Sequence, residues 1–251
     1  MTVAAALVVA PALALGSFLK VVAARLPERR SLVAPRSACL ACDHEIGWRD
    51  NIPVVSYLVL RGRCRHCDTR ISPLYPAVEG ATATLVAASV AVFGATAYGA
   101  LAAAFCAVLV VLAAIDVRSR IVPNRIVVPA AIAVLAARTA IDPSLEWLLA
   151  ALGAFAFFFL AALAHPAGLG MGDVKLAFLL GAMLGVSVAA ALLIGLVAAL
   201  VPSAVLLARH GSAARKMGIP LVPFLALGAI VALFAGNALT GGYADLLARA
   251  S

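Results

Sequence analysis

Two aspartates are the residues of this sequence best suited to acid–base chemistry, because each lies at the end of a long apolar segment. Asp116 follows the apolar run of residues 99–115, and Asp173 precedes the run of residues 174–187. Acidic side chains at membrane depth are rare and usually functional. Two carboxyl groups within a few Å of each other share a proton, so one acts as general base on a water and the other as general acid. Such a pair titrates as a unit, and neither role is assigned to one residue.

Each aspartate alone also has a purely structural interpretation. In that interpretation Asp116 pairs with Arg118 or Arg120, and Asp173 caps the helix that follows it. Two apolar spans separate the aspartates, however, so both are expected at the same membrane face. This shared face favours a catalytic pair over two unrelated structural residues.

Glycines precede the second aspartate at every other position. Gly168, Gly170 and Gly172 lead into Asp173, and Lys175 follows two residues later. Glycine permits backbone conformations that other residues avoid, and it allows a substrate strand or a second helix to come close. We therefore predict that Gly170, Gly172 and Lys175 form a loop at the active site.

Four of the five cysteines form two Cys-x-x-Cys pairs typical of a structural zinc site. The pairs are Cys39–Cys42 and Cys64–Cys67, with 21 residues between them. Four thiolates at this spacing suit tetrahedral zinc, with Zn–S bonds of about 2.3 Å, and a metal supplies stability that so short a loop lacks. Reduced thiols or disulfides are the alternative, although a reducing cytoplasm disfavours disulfides. Cys106, in mid-span, is predicted to be a small buried apolar residue.

The composition indicates a polytopic membrane protein. Of the 251 residues, 65% are hydrophobic and 12% are charged, and the mean hydropathy is +1.11. Soluble domains are roughly half apolar and a quarter charged, which excludes an ordinary cytosolic enzyme. The net charge is +8, but only 6% of the residues are aromatic and no basic run is interleaved with aromatics. Nucleic acid is therefore not an expected partner, whereas the lipid bilayer is.

Eight apolar segments predict an all-α membrane protein with about eight transmembrane helices and a small, zinc-ribbon-like cytoplasmic loop that carries the four cysteines. The break between the sixth and seventh segments rests only on Gly185 and Ser187. The segments run roughly over residues 2–19, 77–95, 99–115, 126–141, 147–164, 174–187, 189–208 and 219–238.

The distribution of lysine and arginine predicts the orientation in the membrane. Most basic residues lie between the first two spans, after the third and after the seventh, which are on one side under this count. Positive charge marks the cytoplasmic side, so the four-cysteine loop and both aspartates are predicted inside and the termini outside. The predicted domains are a first helix at 1–19, the four-cysteine loop domain at 20–76, and a membrane-embedded domain of about seven helices at 77–251, which carries both aspartates.

A series of short motifs accompanies the aspartates and the cysteines. They are Gly16-Ser-Phe-Leu19, Arg25-Leu-Pro27, Arg36-Ser-x-Cys39-x-x-Cys42, Asp50-Asn-Ile-Pro53, Ser56-Tyr57, Arg61-Gly-Arg-Cys64-x-x-Cys67, Ile71-Ser-x-x-Tyr75-Pro76-x-x-Glu79, Asp116, Pro123-Asn124 and Gly170-Met-Gly172-Asp173-Val-Lys175-Leu176. In this order the set resembles the type IV prepilin peptidases, bacterial inner-membrane aspartic proteases of the Gly-x-Gly-Asp class. The resemblance covers about residues 10 to 210.

This resemblance implies cleavage of the short basic leader from prepilin or pseudopilin substrates, at the cytoplasmic membrane face. It implies Asp116 and Asp173 as the catalytic pair, with no metal in the cleavage itself. Members with the cysteine loop commonly also N-methylate the new N-terminal residue with S-adenosylmethionine, for which no binding residue is assigned here. The chain differs from the usual pattern at Lys20, where Asn is usual, and at Gly80, where Leu is usual.

Other functions fit parts of the pattern. A transporter would use the aspartates as a proton or cation relay, but it gives no reason for a cytoplasmic loop with four cysteines. A secretion-assembly protein would use the loop for docking and the aspartates for structure. A protease acting on a different helical substrate is the remaining enzyme alternative.

Overall fold

A computed structural model describes residues 6–34, 36–165, 169–211 and 218–250, with side chains up to residue 236. The first of the three alternate glycines, Gly168, lies outside the described residues. So do Arg215 and Lys216, two of the basic residues that follow the seventh apolar segment. The described chain is helical apart from short loops and the cysteine-rich segment. Its helices are α1 (Val9–Arg25), α2 (Val55–Val59), α3 (Leu74–Phe93), α4 (Ala97–Ser119), α5 (Asn124–Ile141), α6 (Glu146–Ala164), α7 (Met171–Leu184), α8 (Val188–His210) and α9 (Val222–Ala250).

Each of the eight long helices overlaps one of the eight predicted apolar segments, which confirms the all-α membrane fold. Five stretches of the described chain are individually long and apolar enough to cross a membrane. They are α3, α4, α5, α6 and the continuous apolar run Met171–His210. That run divides into α7 and α8 at the 3₁₀ turn Gly185–Ser187, where Gly185 has φ +58°. Only glycine adopts this left-handed conformation without strain, so the turn ends α7 there.

The first helix extends beyond the predicted end of its apolar run. It continues from the predicted end at residue 19 to Arg25. Lys20 remains helical because its ammonium group pairs with the Glu79 carboxylate on α3, at 2.7 Å. The lysine therefore has a charged partner on the neighbouring helix and stays within α1 instead of ending it.

The chain folds as two compact units, Met1–Ile115 and Asp116–Ser251. The predicted division at residues 19 and 76 rests on sequence and stays a prediction. In the first unit α1 packs closely on α3, because Gly16 has no side chain: a Cβ there would lie 2.8 Å from the Glu79 Cα. The cysteine-rich segment and α2 lie between these two helices in sequence.

In the second unit α7 is the central helix. It packs against α6 and α5, and nine of its fourteen residues are buried. The contact with α6 is close because a Cβ on Gly181 would lie 2.6 Å from the Ala151 Cα. Small residues at such contacts allow apolar helices to approach closely in a membrane. This packing fixes the position of the N-terminus of α7, where Asp173 lies.

Candidate active site and metal centre

Asp116 lies near the end of α4 and is buried, with 6% of its surface exposed. Its Oδ2 accepts a hydrogen bond from the backbone N–H of Val222, at 3.0 Å. Val222 is the first residue of α9, so this donor is one of the N–H groups that a helix start leaves without an intrahelical partner. Arg120 adds a favourable positive charge nearby. Asp116 is therefore held by the backbone of a helix more than 100 residues away in sequence.

Asp173 is the third residue of α7 and is half-buried. Its Oδ2 accepts a hydrogen bond of 3.3 Å from the backbone N–H of Gly170, in a capping arrangement. The capping role considered for this residue is thus present in the structure. The bond engages one carboxylate oxygen and leaves the other for further chemistry.

The two carboxyl groups lie within the same unit and interact electrostatically. The negative charge of Asp116 acts directly on Asp173. Like charges at short range favour a state in which the pair carries one proton. The two aspartates that the sequence singled out therefore lie in one unit and interact electrostatically, and their role as an acid–base pair stays a prediction.

Gly172 allows the segment after α4 to approach the start of α7. A Cβ on Gly172 would lie 2.7 Å from the Val122 Cβ and 3.1 Å from its Cγ2. At Gly170 a Cβ would meet nothing closer than 3.7 Å. Gly170 has φ −84° and ψ 151°, which other residues adopt freely. The expectation of a special backbone conformation is therefore wrong for Gly170, whereas the expectation of close approach holds for Gly172.

Gly172 and Lys175 are helical residues of α7 and not part of a loop, which ends at Gly170. Lys175 links the start of α7 to α5. Its ammonium group donates a hydrogen bond to the Asn124 side chain, at 2.8 Å. Asn124 is the first residue of α5, directly after the segment that contacts Gly172. Lys175 thus ties the beginnings of two helices together beside Asp173.

The four predicted metal ligands cluster in the first unit. The sulfur atoms of Cys39, Cys42, Cys64 and Cys67 all lie within 4.8 Å of one another, and those of Cys39 and Cys67 are 3.7 Å apart. Tetrahedral zinc with 2.3 Å bonds requires sulfur–sulfur distances of about 3.8 Å. The cluster therefore fits a tetrahedral metal ion with little rearrangement.

The backbone shapes both cysteine pairs in the same way. Cys39 N–H donates to the His44 carbonyl, and Cys64 N–H donates to the Thr69 carbonyl. The residues after the pairs, Asp43 and Asp68, have φ +51° and +56°, a left-handed conformation that Asp tolerates better than most residues. Each pair thus forms a tight turn that aims both sulfur atoms at one point.

Hydrogen bonds favour thiolates in part of this cluster. Those from the backbone of Ala41 and then of Cys42 lower the pKa of Cys39, and hydrogen bonding with Thr69 lowers the pKa of Cys67 to about 6. The pKa of Cys42 rises to about 12 despite the His44 backbone, because Cys42 shares its proton with Cys67. Four ionised sulfurs therefore require a cation among them, which is what a metal provides.

The sequence did not predict two contacts of the acidic side chains, one at Asp116 and one at Glu79. No local pattern marked Val222 as a partner of Asp116, since the bond uses only its backbone. Glu79 gave a stronger signal, because a carboxylate six residues into an apolar helix needs a partner. In the structure Glu79 is buried and pairs with Lys20.

Two family models match the chain. The Bacterial Peptidase A24 N-terminal domain matches residues 11–93. The Type IV leader peptidase family matches residues 103–234, which is more than half of the chain and includes both aspartates. The residues matched by the first model include all four clustered cysteines.

Similar proteins come from several bacteria and carry the name prepilin leader peptidase/N-methyltransferase. The one from Bacillus subtilis (strain 168) is 36% identical over 236 residues, covering 92% of this chain and 94% of the relative. That from Burkholderia pseudomallei is 38% identical over 84% of this chain and 71% of the relative. The one from Aeromonas hydrophila is 34% identical over 92% and 90%, respectively. No solved structure matches the chain significantly.

Proposed function

The chain belongs to the type IV leader peptidase family, and from that premise we propose that it removes the basic leader of prepilin-like proteins with Asp116 and Asp173 as its catalytic pair. It is an enzyme, a peptidase with an associated N-methyltransferase activity. The observation that supports the assignment of residues is the electrostatic interaction between these two carboxyl groups, which lie in the same unit.

The proposed reaction needs one ionised and one protonated carboxyl group. The ionised aspartate takes a proton from a water, whose oxygen attacks the carbonyl carbon of the scissile peptide. The protonated aspartate gives its proton to the departing amide nitrogen, and the C–N bond breaks. A peptide bond inside a helix is protected by its own hydrogen bonds, so the substrate must be extended at this point. The helix ends around Asp116 and Asp173 are where an extended segment and water meet.

The metal and the methyl donor belong to the second activity in this proposal. Zinc is the metal we propose for the four-cysteine cluster, where it holds the two cysteine turns together and takes no part in cleavage. S-adenosylmethionine supplies the methyl group to the new N-terminal amine, and no residue of this chain is assigned to binding it.

The substrates we propose are prepilins or pseudopilins, whose apolar helix lies in the same bilayer as the enzyme. The enzyme lies in the bacterial inner membrane, with the four-cysteine loop and the aspartates at the cytoplasmic face and both termini outside. The excess of arginine and lysine in the loops on one side supports this orientation.

The test is a cleavage assay in membranes. The substrate has a basic leader ending in Gly, followed by Phe and an apolar helix. It is co-expressed with the wild-type enzyme, with Asp116→Asn or with Asp173→Asn. General acid–base groups contribute about 10²–10⁴-fold each, so we expect processing by the wild type and by neither variant. The mass of the product's N-terminus then reports methylation.

Two results would contradict the proposal. If both variants still process the substrate, the aspartates are structural or belong to a transport pathway. If the wild type fails on several such substrates while it folds and binds metal, the enzyme acts on a different helical protein.

A further inference from the structure

A cluster of large apolar side chains is exposed on the segment around α2. They are Trp48, Ile52, Val55, Leu58 and Val59, which we call the apolar patch, and their exposed fractions are 75%, 41%, 52%, 67% and 69%. Trp48 and α2 contribute no side chain to the buried core. Contiguous exposed apolar surface of this kind marks a site of contact with a protein or a membrane.

Hydrogen bonds and an ion pair fasten the segment that bears the patch to α1 and α3. The backbone N–H of Val54 donates to the Glu79 Oε2 on α3, at 2.7 Å. On α1, the Lys20 ammonium group donates to the Asn51 side chain at 3.1 Å and pairs with Glu79 at 2.7 Å. The patch is therefore held by one buried carboxylate and one lysine that join α1 to α3.

The positions of these two anchors define the depth of the patch. Lys20 lies five residues before the end of α1, and Glu79 is the sixth residue of α3. Lys20 directly follows the apolar run that ends at residue 19, and Glu79 lies two residues, about 3 Å, into the apolar run that begins at residue 77. The end of the apolar run of a spanning helix lies where the lipid tails meet the headgroups, so both anchors are expected at that boundary.

The chemistry of the segment matches that boundary. Tryptophan is enriched at membrane interfaces, because its ring is apolar and its N–H is polar. The Arg49 guanidinium lies 5.3 Å from the centre of the Trp48 ring. Arg61 and Arg63 are also exposed, just after α2. Basic side chains next to exposed apolar ones favour a surface of anionic lipid headgroups.

We propose that the apolar patch is a membrane-docking surface, inserted among the headgroups of an anionic leaflet beside α1 and α3. This contact goes beyond peptidase and methyltransferase activity, since it concerns how the four-cysteine loop lies on the membrane. The ion pair between Lys20 and Glu79 holds the patch at the required depth.

The test measures the depth of Trp48 by fluorescence. The chain has two tryptophans, so Trp147→Phe leaves Trp48 as the only emitter in the full-length protein. The protein is reconstituted in vesicles of phosphatidylcholine and phosphatidylglycerol that contain lipids brominated near the headgroup or near the tail end. We expect strong quenching of Trp48 by the shallow bromines, weaker quenching by the deep ones, and little quenching by aqueous iodide.

The matched control places a tryptophan elsewhere on the same loop. Leu40 lies in the first cysteine turn and is 83% exposed. In a background with Trp48→Phe and Trp147→Phe, Leu40→Trp is expected to be quenched by iodide and hardly by brominated lipids. If Trp147→Phe does not fold, the emission of Trp48 is obtained as the difference between the wild type and Trp48→Phe.

Three outcomes would overturn the proposal. Trp48 that is quenched by iodide and not by brominated lipids is in water. Trp48 that is protected from both is covered by protein, such as a second copy of the chain. Equal lipid quenching at residues 40 and 48 means that the whole loop lies on the membrane, without a specific docking surface at the patch.

Discussion

The two units of this protein hold their polar groups by different physical means. In the second unit both aspartates accept hydrogen bonds from backbone N–H groups at the start of a helix, those of Val222 and Gly170. In the first unit the polar groups are held by ion pairs and by a cluster of four cysteines. We expect the catalytic aspartates of the second unit to keep their positions when the metal is removed, and to shift when a methyl group is added at a close contact such as Gly172. The cysteine-rich loop of the first unit is expected to depend on the metal.

Removal of the metal is expected to have the largest effect, because it should unfold the loop of the first unit and leave cleavage by the second unit intact. Structural zinc contributes about 10–16 kcal/mol to folding in small zinc-binding peptides. A chelator, or Cys64→Ala, is therefore expected to unfold the loop and to abolish methylation, whereas the helices around Asp116 and Asp173 keep their packing and cleavage continues. Limited proteolysis of the loop, metal content by mass spectrometry, and the mass of the product's N-terminus measure these effects.

Cys106→Ala is the matched control for that experiment. Cys106 is the cysteine outside the cluster and is fully buried in α4. Its substitution should leave the metal content and methylation unchanged. Two results would contradict the claim that only the first unit depends on the metal. In one, metal removal stops cleavage as completely as methylation; in the other, the loop keeps its protease resistance without metal.

Residue patterns predicted the parts of this structure that depend on local sequence. The apolar segments predicted the long helices, and Gly185 and Ser187 predicted the break between α7 and α8. The spacing of the cysteines predicted that their sulfur atoms would cluster. Contacts between distant residues had no such signal. The pairing of Lys20 with Glu79 depends on how two helices pack, and the bond from Val222 uses a backbone group that every residue except proline carries.

The second prediction concerns the close packing at Gly172, and its expected effect is of intermediate size. The added Cβ in Gly172→Ala would lie 2.7 Å from the Val122 Cβ, so the segment after α4 or the start of α7 has to move. A displacement of about 1 Å at a catalytic group costs roughly 10²-fold in rate. We expect kcat for leader cleavage to fall by about that factor, measured with purified enzyme in detergent or vesicles.

Gly170→Ala provides the comparison two residues away. Its Cβ has 3.7 Å to the nearest atom, the Asp173 Oδ2, and the backbone there suits any residue. Its kcat should stay near that of the wild type, and neither variant should change the metal content of the first unit. Equal losses in the two variants would show that the glycines do not act through the approach of Val122.

The smallest predicted effect isolates the single hydrogen bond from α9 to Asp116. Val222 is the first residue of α9, a position where proline is favoured, because its missing N–H has no intrahelical partner and its fixed φ suits the helix. Val222→Pro therefore removes the donor to Asp116 and keeps the helix start. A hydrogen bond to a charged group contributes about 1.5–3 kcal/mol, so a loss of about tenfold in kcat is expected, with little change in KM.

Val222→Ala separates this bond from the packing of the side chain, which is fully buried. The alanine variant keeps the N–H and loses two methyl groups, so its thermal stability should fall while its kcat stays close to that of the wild type. Val222→Pro should also lose stability with the bond, so the contrast is expected in kcat, which falls about tenfold in the proline variant and not in the alanine variant. If the two variants lose kcat in proportion to their loss of stability, the backbone of α9 contributes only to folding. If kcat falls with the proline alone, a donor from a distant helix positions Asp116 for proton transfer.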